Sequence, residues 1–287
     1  MTLPEPLPDR TCRIRVGTSG YSYTEWVDAG FYPPGTPGGK MLPYYAGIFS
    51  VTELNYTWYQ IPKAESITRM CEAAGPGFMF AAKLTRTMTH EIDPDGWPGQ
   101  VGRFRDGIAP LVQEGRLAAI LVQLPPFFDR CEKNRRYLAA LLDRLRPLPV
   151  AVEFRHKSWA TKKVYEGMAA RGAALAAVDA PQLPDLFPPT DVVTSPEFFY
   201  IRFHGRNTGG WRSGNMQNQF DYDYTEAELK QWVKARIMAM ARRAKRGFIF
   251  FNNHVRAQAP ANARAMIALL CSAGLEVERP GNGRHTE

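Results

Sequence analysis

A carboxylate and a guanidinium stand two residues apart at the end of an apolar run. Glu153 and Arg155 follow residues 150–152, which are all small or β-branched. Because side chains alternate between the two faces of a strand, Glu153 and Arg155 would leave it on the same side. Burying a charge is costly unless it is paired or faces a ligand. The pattern therefore predicts either a structural ion pair or a functional site at a strand end.

Polar residues end the other apolar runs of the chain in a similar way, and this recurrence favours a functional site. They are Ser19, Glu53, Asn55, Lys83, Gln123, Asp179, Arg202, His204, Asn252 and Asn253. The carboxyl ends of parallel strands are where the active sites of barrel proteins form. We therefore expect most of these side chains to converge on one site, with some of them serving as structural pairs.

Four of these residues are candidates for catalysis. Glu153 is predicted to be the general acid/base with Lys83 as its partner, because a lysine and a carboxylate that lie close together tune each other's pKa. His204 would move a proton or hold a substrate hydroxyl, and Asp179 is the fourth candidate. Lys83 could instead be a Schiff-base nucleophile, or it could form a salt bridge to Glu53 or Glu153.

The remaining polar residues predict a pocket for an anion, because converging cations and amides suit a phosphate or a carboxylate. Arg155 and Arg202 are predicted to clamp the anion. The other predicted substrate-binding residues are Ser19, Tyr21, Glu53, Asn55, Gln123, Trp211, Asn252 and Asn253. We expect an enzyme of the hydrolase, lyase or isomerase type whose partner is a small anionic ligand, such as a phosphorylated sugar or a nucleotide-like compound.

A metal centre is the less favoured interpretation of the same residues. Carboxylates and imidazole do bind divalent ions, and Glu53, Glu153, Asp179 and His204 are the residues of those types. The cations at the same strand ends oppose metal binding, and the sequence holds no HxH or HExxH spacing. We therefore predict no required metal or other cofactor, with a divalent ion as the disfavoured alternative.

The elements that must position these residues alternate regularly between short apolar runs and amphipathic helices. The apolar runs lie near residues 13–20, 51–56, 78–83, 118–124, 150–156, 174–179, 198–205 and 247–253. Eight such units predict an α/β fold, a single (β/α)8 TIM-type barrel with an eight-stranded parallel sheet over residues 13–278. An open doubly wound sheet is the alternative, but residues 17–20 match its glycine fingerprint only weakly. Residues 1–12 are expected to be a flexible segment and residues 279–287 a polar tail.

The composition narrows the class of protein. Hydrophobic residues make up 45% of the 287, which suits a globular core, and the net charge of +8 favours anionic partners. The four cysteines form no CxxC pair, the first residues do not resemble a signal peptide, and no run is long enough to span a membrane. We therefore expect a cytoplasmic protein with no membrane partner; the sequence does not indicate an oligomeric state.

Aromatic residues in the loops after the strands leave two further functions open. Together with the positive charge they could stack bases, so a nucleic-acid-binding or processing protein is one alternative. A barrel that binds a ligand without catalysis is the other. The loop at residues 206–224, rich in glycine and aromatics, is long enough to be a lid, and we expect Trp211 or Arg206 to bring it against the ligand space.

Several short motifs together resemble the YecE-like family, also known as domain-of-unknown-function family 72. They are Gly17–Tyr23 with Trp26 and Phe31–Pro33, Glu53–Asn55 with Tyr59, Phe80–Lys83 with Thr89–His90, Gln123–Pro126, Val152–His156 with Trp159, Tyr200–Gly205, and Phe251–Asn253 with Asn262–Ala263. The resemblance covers residues 13–270 and implies the family's barrel fold. It implies no activity, because the family is named for a domain of unknown function. Tyr21 departs from the family pattern, which mostly has tryptophan there, and the segment between Trp26 and Phe31 is one residue longer.

Overall fold

Eight parallel strands close into a barrel in a computed structural model that describes residue 5 and residues 11–281. The strands are β1 (Arg13–Ser19), β2 (Val51–Leu54), β3 (Met79–Lys83), β4 (Leu117–Gln123), β5 (Val150–Glu153), β6 (Ala174–Asp179), β7 (Phe198–Phe203) and β8 (Arg246–Phe251). Each strand pairs with the next, and β1 pairs with both β8 and β2, which closes the barrel. The predicted fold is confirmed. The predicted N-terminal segment and polar tail lie mostly outside the described residues.

Helices connect the strands on the outside of the barrel. They are α1 (Glu25–Asp28), α2 (Gly38–Ala46), α3 (Tyr56–Tyr59), α4 (Ala64–Ala74), α5 (Trp97–Gln113), α6 (Glu132–Leu145), α7 (Lys162–Ala170), α8 (Met216–Phe220), α9 (Glu226–Trp232), α10 (Met238–Ala241) and α11 (Gln258–Ser272). α9 begins at a capping box formed by Thr225 and Glu228. A π-helical turn at residues 233–237 joins it to α10, which ends at Ala241.

The barrel interior is filled by residues that alternate along the strands. Small side chains line the half of the barrel formed by β3 to β6, and they include Ala81, Ala119, Ala151 and Ala176. Aromatic side chains from β7 and β8 fill the space opposite them, namely Phe198, Tyr200, Phe248 and Phe250. Because this apolar layer is closed and buried, polar residues further along the same strands lie above it, at the carboxyl ends.

Gly17 allows β1 and β2 to approach each other closely. A Cβ at this position would lie 2.0 Å from the carbonyl oxygen of Val51 and 2.9 Å from the hydroxyl of Tyr45. That Tyr45 hydroxyl accepts a hydrogen bond from the Thr18 amide at 2.7 Å. The glycine therefore lets α2 pack against the strand that ends at Ser19.

A ninth, short strand closes the amino-terminal end of the barrel. β9 (Glu276–Val277) pairs with Arg13 and Ile14 of β1, whereas β2 pairs with β1 only at Thr18 and Ser19. β9 thus pairs with the start of β1, where β2 does not pair with it. This strand was not predicted from the sequence.

Two further expectations concern the environment of the protein. Within residues 11–281, no helix combines the length and the apolar character needed to cross a membrane. All four cysteines are free thiols; Cys12 and Cys71 are buried, whereas Cys131 and Cys271 are exposed. The cytoplasmic location stays a prediction.

Candidate functional site

Arg202 lies at the centre of the carboxyl end of the barrel and is held by two carboxylates. Its Nη1 donates to Oε2 of Glu153 at 2.7 Å, and its Nη2 donates to Oε1 of Glu53 at 2.6 Å. The second oxygen of Glu53 accepts a hydrogen bond from Tyr200 at 2.6 Å. Burial alone would lower the pKa of Arg202, but the two glutamates raise it, so this guanidinium is permanently charged.

Glu153 is an ionised carboxylate shared by several partners. Besides Arg202, it forms an ion pair with Arg155, whose Nε lies 2.5 Å from Oε1, and Nε2 of His204 lies 3.2 Å from the same oxygen. Burial alone would raise the pKa of Glu153, but the charges of Arg155 and Arg202 hold it well below its usual range. A group held in this state orients its neighbours and does not donate a proton near neutral pH.

His204 is a neutral ring inside this network. Burial, followed by the charge of Arg155, lowers its pKa to about 3. Its Nδ1 lies 3.0 Å from Nδ2 of Asn252 and its Nε2 lies 3.1 Å from Nη2 of Arg155. When Asn252 donates to Nδ1, the ring proton lies on Nε2 and points to Glu153. This arrangement fixes the ring against the arginine and the carboxylate.

Lys83 differs from the two arginines because it has no carboxylate of its own. No ion pair or hydrogen bond to its ammonium group is formed by residues that the structure describes, and Nζ lies 5.0 Å from the centre of the Trp58 ring. Burial, followed by the charge of Arg202, lowers the pKa of Lys83 to about 7. The amine therefore exchanges its proton near neutral pH.

Local hydrogen bonds place the Trp58 ring over Lys83. The helix α3 begins directly after β2, and its Thr57 hydroxyl donates to the carbonyl oxygens of Leu54 and Lys83, at 2.7 Å and 2.6 Å. The ring of His90 packs edge-on against Trp58, with centroids 5.0 Å apart. Burial and the charge of Lys83 lower the pKa of His90 to about 4, so this ring is neutral too. The aromatic wall is thus fixed to the end of β3.

A cavity of about 830 Å³ opens above these residues. The predicted site residues that line it are Asn55, Lys83, Gln123, Arg155, Arg202, Trp211 and Asn252. Glu53 and Glu153 are fully buried and are not part of the lining. The cavity therefore meets the cations directly, whereas the carboxylates that hold the two arginines lie behind them. Glu53, Lys83, Glu153 and Arg202 thus lie together at the carboxyl end of the barrel.

Several polar atoms around the cavity have unused hydrogen-bonding capacity. Nε of Arg202 and Oδ1 of Asn55 are buried without a partner among the described residues. Arg155 is ion-paired with Glu153 through Nε, and no hydrogen bond from the described part of the chain engages its Nη1. Buried polar groups are nearly always satisfied by protein, water or ligand. Because Arg155 lines the cavity, its Nη1 has hydrogen-bonding capacity for a bound molecule.

The long loop after β7 covers one side of the cavity. Its Trp211 ring stacks on Arg155, with Cζ 5.2 Å from the ring centre, and Phe220 packs beside His204. Trp211 therefore lies in the wall of the cavity, beside Arg155. Arg206, the other residue expected there, turns away towards Asp179.

Asp179 lies outside the cavity, in a separate cluster. Arg206 donates to both of its oxygens, at 2.9 Å and 2.7 Å, and the Tyr224 hydroxyl donates at 2.7 Å. The indole of Trp232 also donates to it. With its oxygens occupied by four donors, Asp179 joins the end of β6 to the long loop and to α9, so the structure does not bring it together with the other three candidates for catalysis.

Three other predicted residues have positions of their own. Ser19 lies beside Arg202, with its Oγ 3.5 Å from Nη2. Tyr21 packs against Tyr45, outside the lining of the cavity. Asn253 points outwards and donates to the carbonyl of Tyr222 and to Asn262. Asp179 and Asn253 both lie on the helix-facing side of their strands, which explains why they are absent from the mouth.

Three residues that shape the site were not predicted as site residues from the sequence. Tyr200 holds Glu53 from below, while Trp58 and His90 form the wall beside Lys83. A signal existed for Tyr200, because it stands two residues before Arg202 and must share its face of β7. No comparable signal marked Trp58, whose position depends on the turn after β2.

The potential metal ligands do not converge. Asp179 is in its own cluster, and Glu53 and Glu153 are each bonded to Arg202. Throughout the part of the chain that the structure describes, no three His, Cys, Asp or Glu side chains form a group suited to a metal ion.

A second cavity, of about 660 Å³, lies at the opposite end of the barrel. It is formed by the ends of α2 and α4, by α11 and by residues 277–281. None of the predicted site residues lines it, and it contains no counterpart of the lysine and arginine group.

Comparisons of sequence identify the family. The model of the family described as "Protein of unknown function DUF72" matches residues 15–284. The UPF0759 protein YunF of Bacillus subtilis (strain 168) is 30% identical over 271 residues, which are 90% of this chain and 94% of that protein. The UPF0759 protein YecE of Escherichia coli (strain K12) is 29% identical over 163 residues, which cover 55% of this chain and 54% of that protein.

Solved structures agree with this assignment. A DUF72 family protein from Thermotoga maritima MSB8 has a TM-score of 0.81 at 34% identity, covering 90% of this chain and 99% of that one. A DUF72 family protein from Enterococcus faecalis V583 has a TM-score of 0.80 at 27% identity, covering 90% and 95%. The resemblance drawn from the motifs is confirmed, and the chain belongs to the DUF72 family.

Proposed function

We propose that the protein is an enzyme that binds a small anionic substrate in the cavity at the barrel mouth. The observation that carries this proposal is the order of charges with depth. Lys83, Arg155 and Arg202 line the cavity, and the carboxylates of Glu53 and Glu153 lie behind them. Glu25 and Asp185 also line the cavity, but they are more exposed and contact His254 and Arg212. An anion that reaches the strand ends therefore meets the three cations, in surroundings where water screens charges weakly.

The three cations have different roles in this proposal. Arg202 uses both terminal nitrogens on carboxylates, so it mainly fixes the charge distribution. Arg155 retains Nη1 for the ligand, and its stacking on Trp211 holds the guanidinium plane in place. We assign the anionic group of the substrate to Arg155, with Glu153 and His204 as positioning residues.

Lys83 is the group that we assign to proton transfer. A general acid or base works best when its pKa lies near the working pH, and the pKa of Lys83 is about 7. Glu153 and His204 are unsuited to that role, because one stays ionised and the other stays neutral across the neutral range.

Calorimetric titration of inorganic phosphate tests the proposal. Arg155→Ala removes a charge-assisted hydrogen bond of ~1.5–3 kcal/mol, so we expect phosphate affinity to fall roughly tenfold to a hundredfold. Arg212→Ala is the matched control, since Arg212 lines the same cavity but its side chain is 65% exposed and paired with Asp185. Its loss is expected to change the affinity by less than about fivefold.

Two results would reject the proposal. If the wild-type protein binds neither phosphate nor a sugar phosphate, the proposed anion site does not exist. Equal affinities for wild type and Arg155→Ala would place the anion elsewhere. Duplex DNA titrated in parallel tests the nucleic-acid alternative, which requires an affinity that falls steeply with salt.

A further inference from the structure

Lys83 is a reactive group without a structural task. The two glutamates beside it are already bonded to Arg202, so they stabilise the barrel without it. In the described chain no carboxylate lies within ion-pair distance of Nζ, which faces the cavity beside the Trp58 ring. A buried lysine normally pairs with a carboxylate, because an unpaired charge in such a position is costly.

The surroundings of Lys83 favour the neutral amine. Burial removes water from Nζ, and the cations Arg202 and Arg155 repel an ammonium group. Together these effects outweigh the attraction that the Trp58 ring and the two glutamates exert on that charge. Only a neutral amine has the lone pair needed to attack a carbonyl carbon. A lysine that is desolvated and placed next to other cations is a recognised way of activating an amine nucleophile.

We propose that Lys83 forms an imine with the carbonyl group of a substrate whose anionic group is held by Arg155. The inference rests on the proposed anion site and specifies its substrate class, a small oxo acid or an oxo phosphate. Aromatic and amide side chains around Lys83, namely Trp58, Asn55 and Gln123, provide a wall and hydrogen bonds for the carbonyl region.

The step balances without any further reactant. The lone pair of Nζ forms a bond to the carbonyl carbon, and the π electrons of the carbonyl move to its oxygen. A proton passes from nitrogen to that oxygen, giving a carbinolamine. Loss of the hydroxyl group with one further proton, as water, gives the imine, which is protonated to an iminium ion. The iminium then draws electrons from the adjacent carbon, which is the usual use of such an adduct.

Reductive trapping with glyoxylate tests this inference. Glyoxylate carries an aldehyde and a carboxylate, and cyanoborohydride reduces its iminium adduct to a stable carboxymethyl-lysine. At pH 7 an amine with a pKa of about 7 is half neutral, whereas an ordinary lysine, with a pKa of about 10.4, is neutral in roughly one molecule in 2,500. We expect peptide mass spectrometry to show at least tenfold faster labelling of Lys83 than of Lys162, whose side chain is 88% exposed.

Two variants and a competitor make the test specific. Arg155→Ala keeps Lys83 but loses the proposed carboxylate partner, so labelling of Lys83 should slow at least tenfold. Arg212→Ala should label at a rate within about threefold of wild type. Inorganic phosphate should slow the labelling of wild type, because it competes for Arg155.

The outcomes separate this inference from the anion site itself. Phosphate binding in calorimetry, with Lys83 labelled no faster than Lys162, would overturn the imine and leave the anion site intact. Fast labelling that neither phosphate nor Arg155→Ala slows would overturn the pairing of carbonyl and anion. Fast labelling of a wild-type protein that does not bind phosphate would overturn the anion site and the assignment of the substrate's anionic group to Arg155, whereas the imine at Lys83 would stand.

Discussion

At the scale of the residue, the site is defined by two arginines whose carboxylate partners lie on the side away from the cavity. Glu53 and Glu153 hold Arg202 in a buried chain of ion pairs, and Glu153 also holds Arg155. Removing one partner of a buried pair costs ~3–5 kcal/mol, because the other charge is left uncompensated. Lys83 is the exception, because no carboxylate among the described residues forms an ion pair with it. Its pKa is lowered instead, so that the amine loses its charge more easily.

A lysine of this kind makes stability depend on pH in a definite direction. The pKa of Lys83 is about 7 in the folded protein and about 10.4 in an unfolded chain, so the unfolded state binds more protons between these values. Folding is therefore penalised fully below pH 7, and the penalty disappears above pH 10. We expect Lys83→Met to raise the free energy of unfolding at pH 6 by up to about 4 kcal/mol.

Urea unfolding of wild type and Lys83→Met at pH 6 and at pH 10 measures this difference. The gain should shrink towards zero at the higher pH. Lys162→Met, on the exposed end of α7, should show no such dependence. A gain that is the same at both pH values would contradict a lowered pKa at Lys83.

At the scale of the element, the connections after the strands decide which side chains reach the mouth. The loop from 206 to 224 brings Trp211 to Arg155, and Gly205 at its start has a φ of +89°, a conformation that favours glycine. The loop is fixed at its base by Asp179 at the end of β6, through Arg206 and Tyr224. The same aspartate reaches α9 through Trp232. One buried carboxylate thus ties three elements together.

Asp179→Asn tests whether this residue is structural or catalytic. The amide keeps the shape but cannot accept from all four donors, and Arg206 retains only Glu228 as a charged partner. We expect the free energy of unfolding to fall by about 2–4 kcal/mol while phosphate affinity stays within about twofold of wild type. Urea unfolding and calorimetry measure the two quantities.

Asp185→Asn is the control for that change, because Asp185 forms an exposed pair with Arg212 and should contribute less than ~1 kcal/mol. If Asp179→Asn is as stable as wild type but no longer binds phosphate, Asp179 has a role in the site and not a structural one.

At the scale of the whole molecule, the barrel is closed at its two ends by different means. The carboxyl end is held by the polar network around Arg202, which draws on β1, β2, β5 and β7. The amino-terminal end is closed by β9 and by Glu278, which lies 2.6 Å from Nε of Arg15. Arg15 also donates to the carbonyl oxygens of Ser50 and Gly77, so this one side chain joins β1 to the starts of β2 and β3.

Glu278→Gln is expected to weaken the fold without affecting the mouth. Arg15 is largely buried, so loss of its charged partner should lower the free energy of unfolding by about 1–3 kcal/mol. Glu197→Gln removes an exposed pair with Lys245 and should cost less than ~1 kcal/mol. Both variants should bind phosphate as wild type does; an effect of Glu278→Gln on affinity would show that the two ends of the barrel are coupled.

The sequence by itself determined the eight strands of the barrel, their order and the end of the barrel at which polar residues gather. It could do so because strand side chains alternate with a period of two and because apolar runs alternated with helical segments. Arg155 and Glu153, or Arg202 and His204, therefore came out on common faces. The motifs also led to the family.

Only the tertiary structure decided which face of each strand looks into the barrel. Ala174 to Ala177 are apolar on both faces, so nothing in β6 distinguished the lumen from the helix side, and Asp179 fell on the helix side with Leu175 and Ala177. Asn252 and Asn253 were separated in the same way. The burial of Glu53 and Glu153 behind the cations depends on distances between different strands. So does the lack of an ion-pair partner for Lys83 among the residues that the structure describes. Such distances are set when the barrel closes, and the sequence of a single strand does not specify them.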